Sequence, residues 1–371
     1  MKKKLLLIPL VLVLIASLIA CAAPAPVAGP SPTATVTTTV TAPAPVPVPG
    51  DVYEWTMFTN GSGGWHFDQW RGSIVNELEN ATNGRLKIVP MWPGDHPYKA
   101  GDLLGTVKEG ITPVTALGYN NVGGVEPRLS VTVLPFFQPP GGHEAKKDMH
   151  RLISDYIDGV LEDWNCFELA VHFAGPVEMW LTDGWLEDFD SLKGKRIRTF
   201  SAETDSLVQL MNGNPVRIDA SEVYTSLQTG LIEGLMTGVS FSVSSKFPEV
   251  VKHFQPLNAF QSTAPILVNR DAWNELPEEI RDAVMAYWDS KAEWYADGAV
   301  MTESMLLRQA VTEYGLEIRP MPQDFRAEIM ELSVDGVWKP WAERTGEGGM
   351  EILESITKIL EDAGYEMPAI K

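Results

Sequence analysis

The stretch that decides the fold is "KRIRTFSAETDSLVQLMNGNPVRIDASEVYTSLQTGLIEGLMTG", Lys195 to Gly238. Its apolar residues alternate and then recur at helical spacing, and this change of period happens twice before a last short apolar run. The pattern predicts strand, helix, strand, helix and strand, with short turns between them. Repeated units of this kind pack as a sheet covered by helices, so the stretch predicts an α/β fold.

The same alternation occurs on both sides of this stretch. "DVYEWTMFTN" (51–60) and "RLKIVPMW" (85–92) are predicted strands, and helical spacing separates them. From Pro277 to about Tyr314 the helical spacing continues, interrupted only by Gly298. One unbroken helix there would be roughly 55 Å long and would span two lobes. The alternative is two ordinary helices that meet at Gly298.

The N-terminus, "MKKKLLLIPLVLVLIASLIAC", has a basic start and an apolar run, so residues 1–20 are predicted to be a signal peptide. "LIAC" resembles the bacterial lipobox, which implies cleavage before Cys21, lipidation of Cys21 and a lipid anchor. An ordinary signal cleaved near Ala23 is the alternative. Residues 21–50 carry no charge before Asp51 and are rich in Pro, Thr and Ala, which is typical of an extended tether.

Composition excludes several classes of partner. The formal net charge of −20 argues against nucleic acid and against anionic membrane surfaces. The chain has two cysteines, and if Cys21 carries lipid then Cys166 has no disulfide partner. We expect Cys166 to be buried as a small apolar residue.

Catalytic signatures are missing from the sequence. It contains no G-x-S-x-G, no H-E-x-x-H, no P-loop and no G-x-G-x-x-G after a strand. We therefore expect a protein that is not an enzyme and that needs neither a cofactor nor a metal.

A dense group of cations lies in the deciding stretch. On a strand, Arg196 and Arg198 share one face and Ile197 points to the other. Arg198 lies nearer the carboxyl end, which faces the ligand crevice in open α/β sheets. A guanidinium offers a planar pair of donors that matches a carboxylate, so Arg198 is a candidate ligand-binding residue. The alternative is a salt bridge to the acidic segment "LEDFD" (186–190).

The stretch 188–234 resembles the most typical part of the solute-binding proteins of tripartite ATP-independent periplasmic (TRAP) transporters. The similar motifs are "SLKGKRIR" (191–198), "NPV" (214–216), "EVY" (222–224), "LQTG" (227–230) and "EG" (233–234). A looser similarity covers Asp51 to Lys371. The resemblance implies two α/β lobes joined by hinge strands, with a long helix across both. We assign residues 51–175 plus 264–303 to lobe I and residues 176–263 plus 304–371 to lobe II.

The same resemblance implies a function outside the cytoplasm. The protein is expected to capture a small organic carboxylate between its lobes and to deliver it to the small and large membrane subunits of a TRAP transporter. Lipid anchoring would hold it in the periplasm or on the outer face of the cell membrane. The alternative is a sensor lipoprotein that signals to a membrane receptor.

The family pattern also suggests site residues. Arg198 matches the family arginine that binds the ligand carboxylate, and counting back to a second family arginine reaches Glu178. We hypothesise that Glu178 faces the cleft, where it pairs with Arg198 or contacts the ligand, and that it stays ionised. Thr237 replaces a family asparagine. Five further residues are candidates for the pocket wall: Trp65, Tyr119, Trp180, Ser201 and Thr237.

Overall fold

The computed structural model of the chain describes residues 50–61, 63–139 and 142–370. The predicted signal peptide, Cys21 and all of the predicted tether except Gly50 lie outside these residues. Within them, no helix has the length and apolar character required to span a lipid bilayer.

Eleven strands form two sheets in the described part of the chain. They are β1 Tyr53–Thr59, β2 Leu86–Met91, β3 Val114–Ala116, β4 Cys166–Pro176, β5 Glu178–Leu181, β6 Arg196–Thr199, β7 Asn214–Arg217, β8 Gly234–Thr237, β9 His253–Gln255, β10 Gln261–Asn269 and β11 Glu317–Ile318.

The helices lie between and after these strands. They are α1 Trp65–Gln69, α2 Val75–Ala81, α3 Leu103–Lys108, α4 Tyr119–Val122, α5 Gly142–Leu152, α6 Ser154–Glu162, α7 Ala202–Leu210, α8 Val223–Gln228, α9 Val239–Ser244, α10 Arg270–Glu275, α11 Glu278–Tyr314, α12 Gln323–Ser333, α13 Lys339–Thr345 and α14 Gly349–Asp362. Short π-helical turns at Trp70–Ile74 and Val334–Trp338 connect α1 to α2 and α12 to α13.

Both sheets mix parallel and antiparallel pairs. The first has the order β2-β1-β3-β10-β4, in which β1 is parallel to β2 and β3 while β10 is antiparallel to β3 and β4. The second has the order β11-β9-β5-β8-β6-β7, in which β6 is parallel to β7 and β8. The α/β prediction is confirmed, and the deciding stretch forms β6, α7, β7, α8 and β8.

The chain crosses from the first sheet to the second between β4 and β5 and returns through the segment before β10. β4 of the first sheet ends at Pro176 and β5 of the second begins at Glu178, so only Val177 separates them. The return path pairs with this crossing, because Val177 N–H donates to Phe260 O (2.8 Å) and Ala259 N–H donates to Val177 O (3.1 Å). The two-lobed architecture with hinge strands is confirmed.

The predicted long helix is one helix. α11 runs unbroken from Glu278 to Tyr314, a length of 37 residues. Its first half packs into the apolar cluster beside the first sheet through Val284 and Trp288. Its second half packs into a cluster of the second sheet through Ala310. The helix therefore connects the two lobes along their side.

Gly298 does not break α11 but makes room for a neighbouring side chain. A Cβ atom added at Gly298 would lie 2.1 Å from the six-membered ring of Trp65. The glycine that suggested an interruption in the sequence is thus required for close packing of Trp65 on the helix.

The C-terminal helices pack against the N-terminal half of the chain. The indole N–H of Trp338 donates to Pro135 O (2.7 Å), and that of Trp341 donates to Ser130 Oγ (2.9 Å). One apolar cluster contains Trp338 together with Phe58 of β1 and Ile197 of β6. The residue boundaries that we assign to the two lobes stay a prediction.

Candidate functional site

A cavity of about 250 Å³ lies between elements of the two sheets. The first-sheet half of the chain contributes Asn60, Trp65, His66, Asn121 and His172, and the second-sheet half contributes Arg198, Phe200, Thr237 and Phe241. Arg198 also lines a neighbouring cavity of about 770 Å³.

Arg198 is buried at the carboxyl end of β6, with 5% of its surface exposed. Its Nε donates to Ile218 O (3.1 Å), and its guanidinium carbon lies 5.2 Å from the ring centre of Phe200. Among the described residues, no carboxylate lies within salt-bridge distance of it. Burial lowers the pKa of Arg198 to about 10, an effect that nearby Asp219 opposes, so the group remains cationic at neutral pH.

The neighbouring cations have partners within the protein. Arg196 forms an ion pair with Glu233 through Nη2 and Nε, and its Nη2 also donates to Gly230 O (2.7 Å). Lys195 Nζ donates to Asp183 O (3.2 Å). The acidic segment 186–190 is therefore not the partner of either arginine. The two arginines share one strand, and they differ in that Arg196 is neutralised and Arg198 is not.

Glu178 lies at the crossing between the sheets rather than in the cavity wall. Its Oε2 accepts hydrogen bonds from the N–H groups of Leu257 and Asn258, both at 2.6 Å. These donors replace the Arg198 partner that we hypothesised. Burial raises the pKa of Glu178 to about 8 in spite of the two donors, and this disfavours the ionised form that we expected. Asn258 has a φ of 48°, and the carboxylate holds this turn in place.

Trp180 and Ser201 have structural roles. Trp180 is fully buried, and its indole N–H donates to Thr237 O (3.0 Å). Ser201 is the N-cap of α7, because its Oγ accepts a hydrogen bond from Thr204 N–H (3.2 Å). Neither residue lines the cavity described above.

Tyr119 and Cys166 are also core residues. The hydroxyl of Tyr119 donates to Glu168, and the ring is fully buried away from the cavity. Cys166 is a free, buried thiol, and burial raises its pKa to about 12. The sequence-based expectation for Cys166 is confirmed.

Trp65 and Thr237 are the two further candidates that line the cavity. Trp65 begins α1 directly after the glycine-rich loop and stacks on His172, with ring centres 5.6 Å apart. Thr237 ends β8, the neighbour of β6 in the second sheet. The structure thus brings Trp65, Thr237 and Arg198 together from three separate parts of the chain.

Two histidines in the cavity wall, His66 and His172, were not predicted from the sequence. His172 Nδ1 lies 2.9 Å from the carbonyl oxygen of Tyr295, and burial lowers the pKa of His172 to about 4. His66 stacks on it with ring centres 4.5 Å apart, and burial together with His172 lowers the pKa of His66. Both rings are therefore neutral at neutral pH. For His172 the available signal was a polar side chain, besides Glu168, in the largely apolar strand "CFELAVHF".

Asparagines and phenylalanines also line the wall, among them Asn60, Asn121, Phe200 and Phe241. Asn60 follows β1 and donates through Nδ2 to Asn121 Oδ1 (2.7 Å). Phe200 follows β6, and Phe241 lies in α9. Each asparagine lies just beyond the carboxyl end of a parallel strand, where ligand crevices occur in α/β sheets.

His143, Glu144 and Asp297 could hold a cation, because their ligand atoms lie within 4.8 Å of one another. Asp297, however, already pairs with the ammonium of Lys147 (2.8 Å) and with His143 (2.9 Å). The Lys147 charge compensates the carboxylate, so the group is explained as an ion-pair network on the surface between α5 and α11.

Several known proteins resemble this chain. A periplasmic protein of Escherichia coli K12 that binds 2,3-diketo-L-gulonate, YiaO, is 24% identical over 65% of this chain and 73% of its own length. The C4-dicarboxylate-binding periplasmic protein DctP of Rhodobacter capsulatus is 26% identical over 75% and 83%. The crystal structure of Bordetella pertussis DctP7, an extracytoplasmic solute receptor that binds pyroglutamic acid, aligns with a TM-score of 0.74, covering 82% of this chain and all of that one at 20% identity.

The sequence profile of the bacterial extracellular solute-binding proteins, family 7 (DctP), matches residues 73–344, which is well over half of the chain. The match includes the deciding stretch, both crossing strands, α11 and Arg198. The chain therefore belongs to family 7 of the bacterial extracellular solute-binding proteins, and its resemblance to the TRAP solute receptors is confirmed.

Proposed function

We propose that this protein captures a small organic acid in the cavity between its lobes, with the ligand carboxylate on Arg198, and delivers it to the membrane subunits of a TRAP transporter. One observation carries the proposal: Arg198 is a buried cation in a cavity wall, with no carboxylate partner in the described residues. An uncompensated buried charge is costly. An anionic ligand that supplies two charge-assisted hydrogen bonds removes that cost.

The relatives support an acid as the ligand. The names of the Escherichia coli and Rhodobacter capsulatus proteins specify a diketogulonate and C4-dicarboxylates, and the Bordetella pertussis structure contains pyroglutamic acid. These ligands differ in size and in number of carboxylates, so the relatives support the carboxylate and leave the rest of the ligand open.

Closure of the two lobes supplies the signal for delivery. A ligand shifts an open–closed equilibrium only by as much as it binds one state more tightly than the other. Arg198 and Thr237 lie in the second sheet, while Trp65 and His172 belong to the first-sheet half, so a ligand that contacts both groups favours the closed state. The crossing at Val177 is the place where this motion occurs.

A thermal-shift screen of hydroxy, keto, sugar and amino acids, followed by calorimetry, tests the proposal. We expect at least one acid to bind with a stoichiometry of one and to be recovered unchanged after incubation. The proposal of a solute receptor fails if the acids bind equally well to the wild type and to Arg198→Ala. It also fails if the bound acid is converted to another compound.

We further propose that Cys21 carries the lipid anchor of the protein. The support is the sequence "LIAC" and the uncharged segment that follows it. The test is expression of the wild type and of Cys21→Ala in bacterial cells fed with a labelled fatty acid. Label on the wild type alone, with the variant released from the membrane fraction, supports the anchor. Equal release of both proteins contradicts it.

A further inference from the structure

The cavity of about 250 Å³ contains one full charge. Arg198 is its only Lys, Arg, Asp or Glu among the described lining residues, and the other polar groups are amides, hydroxyls and the two histidines. Both histidines are neutral at neutral pH because burial lowers their pKa. Lys99 and Arg217 line the neighbouring cavity of about 770 Å³ and not this one, so within the smaller cavity Arg198 alone compensates one anionic group and not two.

The hydrogen-bonding state of His172 follows from its contact with α11. A carbonyl oxygen only accepts, so His172 Nδ1 must carry the hydrogen in its 2.9 Å contact with Tyr295 O. A neutral imidazole with a protonated Nδ1 has its lone pair on Nε2. Within the described residues, Tyr295 is the only hydrogen-bond partner of this ring. The chain therefore places an unused acceptor in the wall of the cavity.

The ring of His172 is held firmly. It stacks with Trp65, at 5.6 Å between ring centres, and with His66, at 4.5 Å. His172 pairs with Ala264 of the neighbouring strand β10, and Ala174 lies two residues after His172 on β4. These small neighbours leave space beside the ring, and both alanines line the cavity.

We propose that Nε2 of His172 is a specificity-determining acceptor that takes a hydrogen bond from an O–H or N–H group of the ligand. The inference rests on the proposed function, because it assumes that Arg198 holds the carboxylate. It names the ligand class as monocarboxylates that carry a neutral hydrogen-bond donor. An acid without the donor leaves the buried lone pair unpaired, and a second carboxylate faces that lone pair without a cation to compensate its charge.

Matched acids test this preference in the wild-type protein. Calorimetry compares pyroglutamate with cyclopentanecarboxylate, lactate with propionate, and mandelate with phenylacetate, and it includes succinate as a dicarboxylate. In at least one pair we expect the acid with the donor to bind about tenfold or more tightly, and we expect succinate to bind more weakly than that acid. Equal affinities within every pair, or tighter binding of succinate, would overturn the inference.

Variants separate this inference from the proposed function. His172→Phe keeps the stacked ring and removes the acceptor. The two acids of a pair should therefore bind to this variant with about equal affinity, and the affinity for the acid that lacks the donor should not fall. His172→Gln returns an acceptor oxygen and should restore part of the preference. If His172→Phe weakens both acids equally while its thermal unfolding stays intact, the residue is merely structural. If no acid binds to the wild type, or if Arg198→Ala binds them all unchanged, the proposed function fails first.

A spectroscopic measurement reports on Nε2 directly. In protein labelled with ¹⁵N-histidine, the resonance of the unprotonated Nε2 should shift upfield when the acid with the donor is added, because the lone pair then accepts a hydrogen bond. The paired acid without a donor should leave this resonance in place. No shift with either acid, at saturating occupancy, contradicts the proposal.

Discussion

At the residue scale, two arginines on one strand have different environments. Arg196 pairs with Glu233 at the surface, while Arg198 is buried beside Phe200 and faces a cavity. Strand alternation gives both side chains the same face, and position along the strand distinguishes them. The carboxyl end of β6 is the end that meets the other lobe, so Arg198 lies where a ligand can reach it.

Arg198→Ala should weaken binding of the acid ligand by roughly a hundredfold or more. Two charge-assisted hydrogen bonds contribute about 1.5–3 kcal/mol each, and about 1.4 kcal/mol corresponds to a tenfold change. Arg198→Lys should be intermediate, because an ammonium keeps the charge without the planar pair of donors. Titration calorimetry of the two variants measures both effects.

Arg196→Ala is the matched control for these variants. It removes the same side chain from the same strand, two residues away, at a position that pairs with Glu233 and does not line the cavity. Its affinity for the acid should remain within about twofold of the wild type. An equal loss in both alanine variants would mean that general positive charge, rather than Arg198, binds the ligand.

Glu178→Gln should reduce the pH dependence of stability. Burial raises the pKa of Glu178 to about 8, above its value in the unfolded chain, so the folded state binds the extra proton. The contribution of the protonated Glu178 carboxyl to the free energy of unfolding is complete below about pH 4.5 and is lost as the pH rises through about 8. Nearby Glu303, whose own pKa is raised to about 7, further raises the pKa of Glu178. The positive charges of Lys146 and Arg326 act on the pKa of Glu178 in the opposite direction.

Chemical denaturation at pH 5 and pH 8 measures this effect. In Glu178→Gln the difference in unfolding free energy between the two pH values should shrink by about 1 kcal/mol or more. Glu331→Gln removes a carboxylate from an exposed position of α12 and serves as the control. An unchanged slope in Glu178→Gln would show that its carboxylate is already ionised at pH 5.

The sequence predicts Arg198 because its type and its position on the strand are both local properties. Glu178 and Tyr119 could not be placed in the same way, since their partners at Leu257, Asn258 and Glu168 lie far away along the chain. His172 was missed because its neutral state depends on burial and its tautomer on Tyr295. Tertiary contacts determine both properties.

At the element scale, α11 shows what a local pattern can predict. Its apolar spacing predicts one helix, and the contacts with both sheets confirm it. Gly298 was ambiguous, because a glycine in a helix indicates either a break or a close contact, and only the position of Trp65 distinguishes the two. The antiparallel strand β10 was not predicted, because its partners β3 and β4 are distant in sequence.

Gly298→Ala should disturb the cavity wall. The added Cβ would lie 2.1 Å from Trp65, whose ring is confined by His172 and Trp294, so the indole must move. We expect a loss of stability of about 1–3 kcal/mol, as for other overpacked cores, together with weaker ligand binding. Thermal unfolding and calorimetry measure the two losses.

Gly159→Ala is the matched control, because Gly159 lies in α6 with no atom near its added Cβ. Better helix propensity should make this variant more stable by about 0.5–1 kcal/mol, with unchanged ligand affinity. A stabilised Gly298→Ala protein would contradict the close packing of Trp65.

At the scale of the whole molecule, the lobes share more than the hinge. One apolar cluster includes Phe58 of the first sheet, Ile197 of the second, and Trp338 from the C-terminal segment. The indole N–H groups of Trp338 and Trp341 also donate hydrogen bonds to residues of the segment 127–135. These contacts couple the two halves, although the hinge between the sheets consists of two strands.

The shared cluster predicts a single cooperative unfolding transition. Differential scanning calorimetry should give one peak with equal calorimetric and van't Hoff enthalpies. Ligand should shift that peak as a whole to higher temperature. Two separate transitions, with only one of them shifted by ligand, would show that the lobes unfold independently.

The most direct test of the central claim is a crystal structure of the protein with its tightest-binding acid from the screen. We expect a ligand between the two sheets, with a carboxylate oxygen about 2.7–2.9 Å from a terminal nitrogen of Arg198. A ligand bound elsewhere, or an Arg198 paired with a carboxylate of its own chain while the acid is bound, would contradict it.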